Sequence, residues 1–255
     1  MKFIKKYDII YIIKKGSDNM STYCVADLHG MYNLYEAINK FLKPEDTVYF
    51  LGDAIDRGPD SWKLMKAILN NPQWIYIQGN HERMFADAIY EYCEEIGGSD
   101  YFYDHALNGG AETFESWLKE GAYQEWGNIL KSLPFYELYI NEHGEKIYLS
   151  HAGFTPKFGD NGEVIIPHYT SLLTNRNHFN DTWDEENFFD TTIVHGHTPI
   201  PYLIYSNQED VNKWDDPGVY YYCDGHKINI DCGACWIKAT VLLDLDTFDE
   251  YIFKL

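Results

Sequence analysis

Residues 22–96 repeat one rhythm that few architectures satisfy: a short apolar run, a polar loop, then a segment with helical periodicity. Residues 22–26 read as a strand, and residues 32–43 place Leu34, Ile38, Phe41 and Leu42 on one helical face. Residues 47–51 form a second apolar run, followed by a helical segment, 60–71, whose apolar set is Leu64, Ala67, Ile68 and Leu69. A third run, 74–78, leads into a helix over about 82–96. Such β-α-β-α-β order predicts a parallel sheet with right-handed crossovers, the start of an α/β (or α+β) domain.

Residues 97–133 break the rhythm. They hold Gly97, Gly98, Gly109 and Gly110 around two helical stretches, 111–119 and 123–132, and read as a small helical cap inserted into the domain and shaping substrate access. Strand signals resume at 135–140 and 146–150, then at 191–194, 201–205, 220–223, 228–231, 236–244 and 250–254. Their alternation mostly suits antiparallel pairing.

The predicted strands end in a common vocabulary. The first runs into Asp27-Leu28-His29-Gly30, the second into Gly52-Asp53-Ala54-Ile55-Asp56-Arg57-Gly58 and the third into Gly79-Asn80-His81-Glu82. Later ones run into His151-Ala152-Gly153 and His195-Gly196-His197-Thr198. Ligands of open α/β sheets bind beyond the carboxyl ends of the strands, so these side chains should converge in one crevice. Oxygen and imidazole donors without thiolates suit Mn, Fe or Zn, with Mn favoured over Fe and Zn. Six ligand candidates on five loops (Asp27, His29, Asp53, Asn80, His151 and His197) are enough for two divalent ions, and a carboxylate such as Asp53 can bridge them. Each short motif recurs by chance, but the five fixed positions of GDxxDRG match by chance on the order of 1 in 10,000 chains of this size. His195 reads as a support behind the ligands, whereas His105, His143, His168, His178 and His226 lie outside the motifs and carry no predicted role.

Composition narrows the partners. A formal charge of −20 argues against wrapping nucleic acid or lying on an anionic membrane, both of which need dense cationic contacts. The N-terminus carries early lysines, but Asp8 interrupts its apolar run and no small-residue cleavage site follows, which predicts a cytoplasmic protein. Residues 1–19, locally basic, read as an appendage or an extra edge strand before a single domain over 20–255. The five cysteines do not suggest a disulfide framework, and Cys232-x-x-Cys235 reads as two small residues in a strand and turn.

The ordered set DLHG, GDAIDRG, GNHE, HAG and GHT resembles the calcineurin-like metallophosphoesterases, and GDxxDRG with GNHE points to their serine/threonine phosphoprotein phosphatase branch of bacterial and phage type. The resemblance runs over about residues 22–245. It implies a β-sandwich flanked by helices with a dinuclear centre: Asp27, His29 and bridging Asp53 on one ion, and Asp53, Asn80, His151 and His197 on the other. It further implies that His81 and Asp56 form an acid pair, that Arg57 clamps phosphate and that a metal-bridging hydroxide attacks phosphorus. The family places a second clamp between the last two histidine ligands. Arg176 is the only arginine there, and its planar fork suits bidentate phosphate binding. The leading expectation is a serine/threonine protein phosphatase acting on a phosphoprotein or small phosphoester. The alternative is a diadenosine tetraphosphate hydrolase, a bis(5'-nucleosyl)-tetraphosphatase, and the remote one a non-catalytic phosphate-binding protein. Only three arginines are present, which favours a single phosphate over a polyphosphate.

Overall fold

The computed structural model describes residues 20–94, 100–179, 191–204 and 217–255. The predicted appendage, residues 1–19, lies outside them.

Two five-stranded mixed sheets stack on each other. In the first, β1 (Thr22–Val25), β2 (Thr47–Phe50) and β3 (Trp74–Tyr76) run parallel, and β11 (Ala239–Asp244) and β12 (Glu250–Lys254) extend it antiparallel beside β1. In the second, β5 (Lys146–Ser150), β8 (Thr191–His195) and β10 (Lys227–Asn229) run parallel, with β4 (Tyr136–Ile140) and β9 (Tyr220–Tyr222) as antiparallel edges. A short hairpin, β6 (Lys157–Phe158) and β7 (Val164–Ile165), stands apart.

Strand periodicity explains the layering. Cys24, Ala26, Leu51, Val241 and Leu243 face Ile147, Leu149, Val194 and Ile228 across the sandwich interior. Their neighbours Tyr23, Val25, Val48 and Phe50 point the other way, into a helical layer. That layer is built by α1 (Tyr32–Phe41), α2 (Ser61–Leu69) and α3 (Asn80–Cys93), which supply Leu34, Ile38, Leu64, Ile68, Phe85 and Ile89. Each fully buried side chain of this kind stabilises by roughly 1.5–3 kcal/mol, so both faces of the first sheet are committed. The outer face of the second sheet packs Tyr148 and Ile193 on Phe154 and Leu172, the last from α7 (Tyr169–Thr174).

The inserted segment carries α4 (Tyr101–His105), a π-helical turn over Ala106–Gly110, α5 (Ala111–Lys119) and α6 (Glu125–Lys131). Phe114, Trp117 and Leu130 belong to the same core as α2 and α3, so these helices are packed into the domain as well as lying over it.

Two expected strands differ. Of the strand expected over 201–205, the described residues 201–204 fall on a short helix, α8 (Ile200–Ile204), where Pro201 sits in the first turn and its missing N–H costs nothing. Residues 236–237 belong to α9 (Ala234–Ile237), which ends at Lys238 in a left-handed conformation before β11 begins. Both are brief apolar runs, where periodicity cannot separate strand from buried helix. No helix among the described residues is long and apolar enough to cross a membrane.

Candidate metal centre

The six parallel strands of the two sheets deliver their carboxyl ends to one edge. There, Asp27, His29, Asp53, Asp56, Arg57 and His197 all adopt positive φ, between 40° and 71°. Non-glycine residues pay for that conformation, so it persists only where surrounding bonds impose it. The imposing bonds are present: Asp27 and His29 donate their N–H groups to the carbonyls of Gly52 and Asp53, and Gly196 donates to that of His151. Close approach explains two glycines: a Cβ would stand 2.2 Å from Asp53 Oδ1 at Gly79, and 2.0 Å from Asp27 Oδ2 at Gly196.

Asp53 lies at the centre. Its Oδ2 is 3.4 Å from His151 Nε2, 3.7 Å from His29 Nε2 and 3.8 Å from His81 Nε2, while Oδ1 accepts the N–H of His81 in the first turn of α3. Two donor groups share it: His29, Asp53 and His81, and Asp53, His151 and His197. Asn80 Oδ1 joins the second group at 2.9 Å from both His151 Nε2 and His197 Nδ1, which are themselves 3.1 Å apart. Metal bonds of about 2.0–2.2 Å place neighbouring ligand atoms about 3 Å apart, so this triangle matches a coordination face.

The imidazoles are oriented for ligation. His29 Nδ1 donates to the Ile55 carbonyl at 2.7 Å and His151 Nδ1 to that of Leu51 at 2.8 Å, which turns each bare Nε2 inward. Burial pushes His29 down to about 3, aided by Arg57, and also lowers His151 and His197. All three are neutral, as ligands must be. His197 Nε2 is buried with no partner among the described residues.

Charge points the same way. Asp27, Asp53 and Asp231 are nearly fully buried. Burial, then Asp231 and Asp53, push the Asp27 carboxyl well above the carboxylate range, and burial takes Asp231 up to about 7. Burial would raise Asp53 too, but His151, His81 and His29 outweigh it and hold it low. The Arg57 guanidinium donates to His29 Nε2 at 2.6 Å and His81 Nε2 at 2.8 Å, and its charge acts on all three carboxylates. One guanidinium against three buried acids leaves a negative surplus that divalent cations would neutralise. The donor set therefore fits two metal ions, by charge and by spacing.

The other predicted residues fall as follows. His81 Nδ1 donates to Asp56 Oδ2 at 2.6 Å. Asp27 Oδ2 accepts the His197 N–H at 3.0 Å and is in neither donor group. Arg176 is exposed, and its charge acts on His151, His197 and Asp231. Arg83 pairs with Asp87 at 2.9 Å on α3, away from the donors. His195 bonds the Gly196 carbonyl and the Tyr222 hydroxyl, which also meets His178 Nδ1. Cys232 and Cys235 lie in the turn and in α9, and burial lifts their thiols to about 12 and about 11, so neither is a thiolate.

Four contributors were missed. Glu82 accepts the N–H groups of Asp53, Ala54 and Gly79 and the Tyr76 hydroxyl, pinning the second and third loops together. His105, read from sequence as without a role, is fully buried against Asp56, and Thr113 bonds the same carboxylate. Asp231 follows β10 as the other ligands follow their strands, and that rule would have found it.

Residues 20–229 match the family model for calcineurin-like phosphoesterases. The chain belongs to that family. Among curated phosphoesterase relatives, it is 30% identical over 143 residues to a symmetrical bis(5'-nucleosyl)-tetraphosphatase of Buchnera aphidicola subsp. Schizaphis graminum, covering 54% of this chain and 46% of the relative. It is 34% identical over 91 residues to serine/threonine-protein phosphatase 2 of Escherichia coli, covering 31% and 39%. The chain spans about half the length of the tetraphosphatases it matches. A solved structure provisionally assigned as a diadenosine tetraphosphatase superposes with a TM-score of 0.57 at 16% identity, over 92% of this chain and 94% of that one. A Saccharomyces cerevisiae serine/threonine phosphatase gives 0.51 at 14% identity, over 92% and 80%. These structural likenesses speak to the fold. The sequence relatives back the tetraphosphatase alternative better than the protein phosphatase favoured from the motifs.

Proposed function

We propose that this phosphoesterase is a dinuclear enzyme that cleaves a dinucleoside tetraphosphate into two nucleoside diphosphates. The observation that carries the chemistry is Asp53 Oδ2 standing within 3.4–3.8 Å of three imidazole nitrogens from three loops. The substrate is argued from the symmetrical tetraphosphatases aligned with more than half of this chain. His29, Asp53 and Asp27 would hold one ion and Asp53, Asn80, His151 and His197 the other, with Mn preferred to Fe or Zn for an oxygen and imidazole set. Two such ions supply a nucleophile at neutral pH and Lewis-acid neutralisation of phosphate charge.

The chain's own residues do the rest. Arg57 offers two guanidinium nitrogens at the mouth of the site, suited to equatorial phosphate oxygens where transition-state charge spreads. Arg176 adds positive potential from the His151 and His197 side, toward a longer phosphate chain. His81, held through Nδ1 by Asp56, presents Nε2 to the departing oxygen.

That last feature also favours a second reading. A seryl or threonyl alkoxide needs a proton more than a nucleoside diphosphate does, and the chain aligns with a serine/threonine phosphatase over 91 residues. Rates on diadenosine tetraphosphate and on a phosphopeptide panel, with Mn²⁺ and with a chelator control, separate the two. Chelator-sensitive release of ADP supports the proposal; phosphopeptide turnover without it supports the second reading.

A further inference from the structure

We propose that His105 and Thr113, from the segment inserted after α3, are positioning residues that hold Asp56 where it can fix the His81 ring. This rests on the phosphoesterase reading of the site.

Asp56 is 1% exposed and receives three side-chain donors. Its Oδ2 takes His81 Nδ1 at 2.6 Å, its Oδ1 takes the Thr113 hydroxyl at 2.7 Å, and His105 Nε2 sits between the two oxygens, 3.1 Å from Oδ1 and 3.0 Å from Oδ2. A carboxylate only accepts, so His105 carries its proton on Nε2. Its Nδ1 is buried with no partner among the described residues, consistent with that tautomer. The ring cannot turn away: it stacks on Phe85 at 5.1 Å and 25°, and a Cβ on Gly110 would stand 2.2 Å from Nε2.

The same segment grips the next residue. The Arg57 N–H donates to the Gly109 carbonyl at 3.1 Å, so the left-handed Asp56-Arg57 pair, φ 71° and 66°, is held at side chain and backbone at once. The segment expected to shape substrate access thus also supports the acid pair.

The chemistry depends on which nitrogen stays put. His81 Nε2 is bonded by Arg57 here, and must exchange that partner when the guanidinium turns to phosphate. Only the Nδ1–Asp56 bond then keeps the ring aimed. Freed of the Arg57 N–H that it accepts here, Nε2 first takes up a proton from water; in the reaction, the oxygen of a water molecule bonds to phosphorus as that water releases a proton, the P–O bond to the leaving group breaks, and the leaving oxygen takes the His81 Nε2 proton. A loosened carboxylate harms this step most when the leaving oxygen is most basic.

The test uses the full chain with Mn²⁺ on phosphate monoesters graded from p-nitrophenyl to alkyl. In Thr113→Val the rate on the alkyl ester should fall about tenfold, a fraction of the usual gain from a placed proton donor, and that on p-nitrophenyl phosphate less than twofold, with KM unchanged. Thr113→Ser should restore the wild-type pattern. Equal loss on all esters, or none, overturns the proposal; His105→Gln runs the same test should Thr113→Val not fold. A second readout uses metal-free protein with ¹⁵N-labelled histidine. The His81 Nδ1 proton should resonate far downfield in the wild type and shift or vanish in Thr113→Val, and no such proton, or an unmoved one, overturns the positioning role. Wild-type inactivity on every monoester with diadenosine tetraphosphate still cleaved would narrow the substrate to phosphoanhydrides, and inactivity on all of them would break the phosphoesterase reading; in either case the resonance decides the positioning.

Discussion

Glu82→Gln changes one atom of a fully buried side chain, yet it should be among the most damaging substitutions near the site. Glu82 Oε2 accepts from the N–H groups of Asp53 at 2.8 Å and Gly79 at 2.9 Å; Oε1 accepts from Ala54 N–H at 2.9 Å and the Tyr76 hydroxyl at 2.8 Å. Burial, with Asp53, pushes this carboxyl up to about 7. Three backbone N–H groups can only donate, however, so both oxygens must accept whatever the protonation state. An amide nitrogen at the Oε2 position would face the N–H groups of Asp53 and Gly79; at the Oε1 position it would face the Ala54 N–H and the Tyr76 hydroxyl, which alone can turn to accept. Even the better orientation orphans the Ala54 N–H, at about 1–3 kcal/mol. At about 2–4 °C per kcal/mol for a chain of this size, the melting midpoint should fall by about 5 °C. The loops released are those carrying Asp53 and Asn80, so Mn²⁺ affinity should fall about 10–100-fold. Thermal denaturation of metal-free protein and calorimetric Mn²⁺ titration measure both. A midpoint within a degree of wild type with unchanged affinity would refute the claim that Glu82 pins these loops.

Two further outcomes follow from the geometry. Buried His29, His151, His178, His195 and His197 all have lowered folded values, so for them the unfolded chain takes up protons first and their contribution to stability falls as pH drops below about 6.5, by up to about 1.4 kcal/mol per unit for each. His81 and the raised carboxyls of Asp27, Asp231 and Glu82 move the other way and oppose this set in the global stability. Nitrogen resonances of histidine-labelled, metal-free protein isolate the first set: the His29, His178 and His195 imidazoles should stay neutral at pH 5, and their protonation there would contradict neutral buried histidines. Arg176→Ala should raise KM for diadenosine tetraphosphate at least several-fold with little change in melting, because the side chain is exposed; unchanged kinetics would remove it from the site.

The legible part of this protein is the part encoded locally. Asp53, His29 and His151 follow strands whose alternation is plain, and the strand-end rule carries them to one edge. His105 and Thr113 reach Asp56 from 49 and 57 residues away, through a helical turn that no local pattern aims. Glu82 was visible as the last letter of GNHE, but two of its four partners, Asp53 and Ala54, lie on another loop that only the tertiary fold brings to it. The misread strand at 201–205 has the opposite cause: five apolar residues carry too little period to distinguish a strand from a helical turn. Substrate choice was less legible still, because GDxxDRG and GNHE describe phosphoryl chemistry and not what the phosphate is attached to.

The central claim is that two donor groups share Asp53, and counting metal tests it most directly. Equilibrium dialysis against Mn²⁺ followed by elemental analysis should find two ions per wild-type chain. Asp53→Asn, which removes the shared charge and leaves every other donor in place, should retain at most one, weakly held. A single ion in the wild type, or two tightly held in Asp53→Asn, would contradict the account.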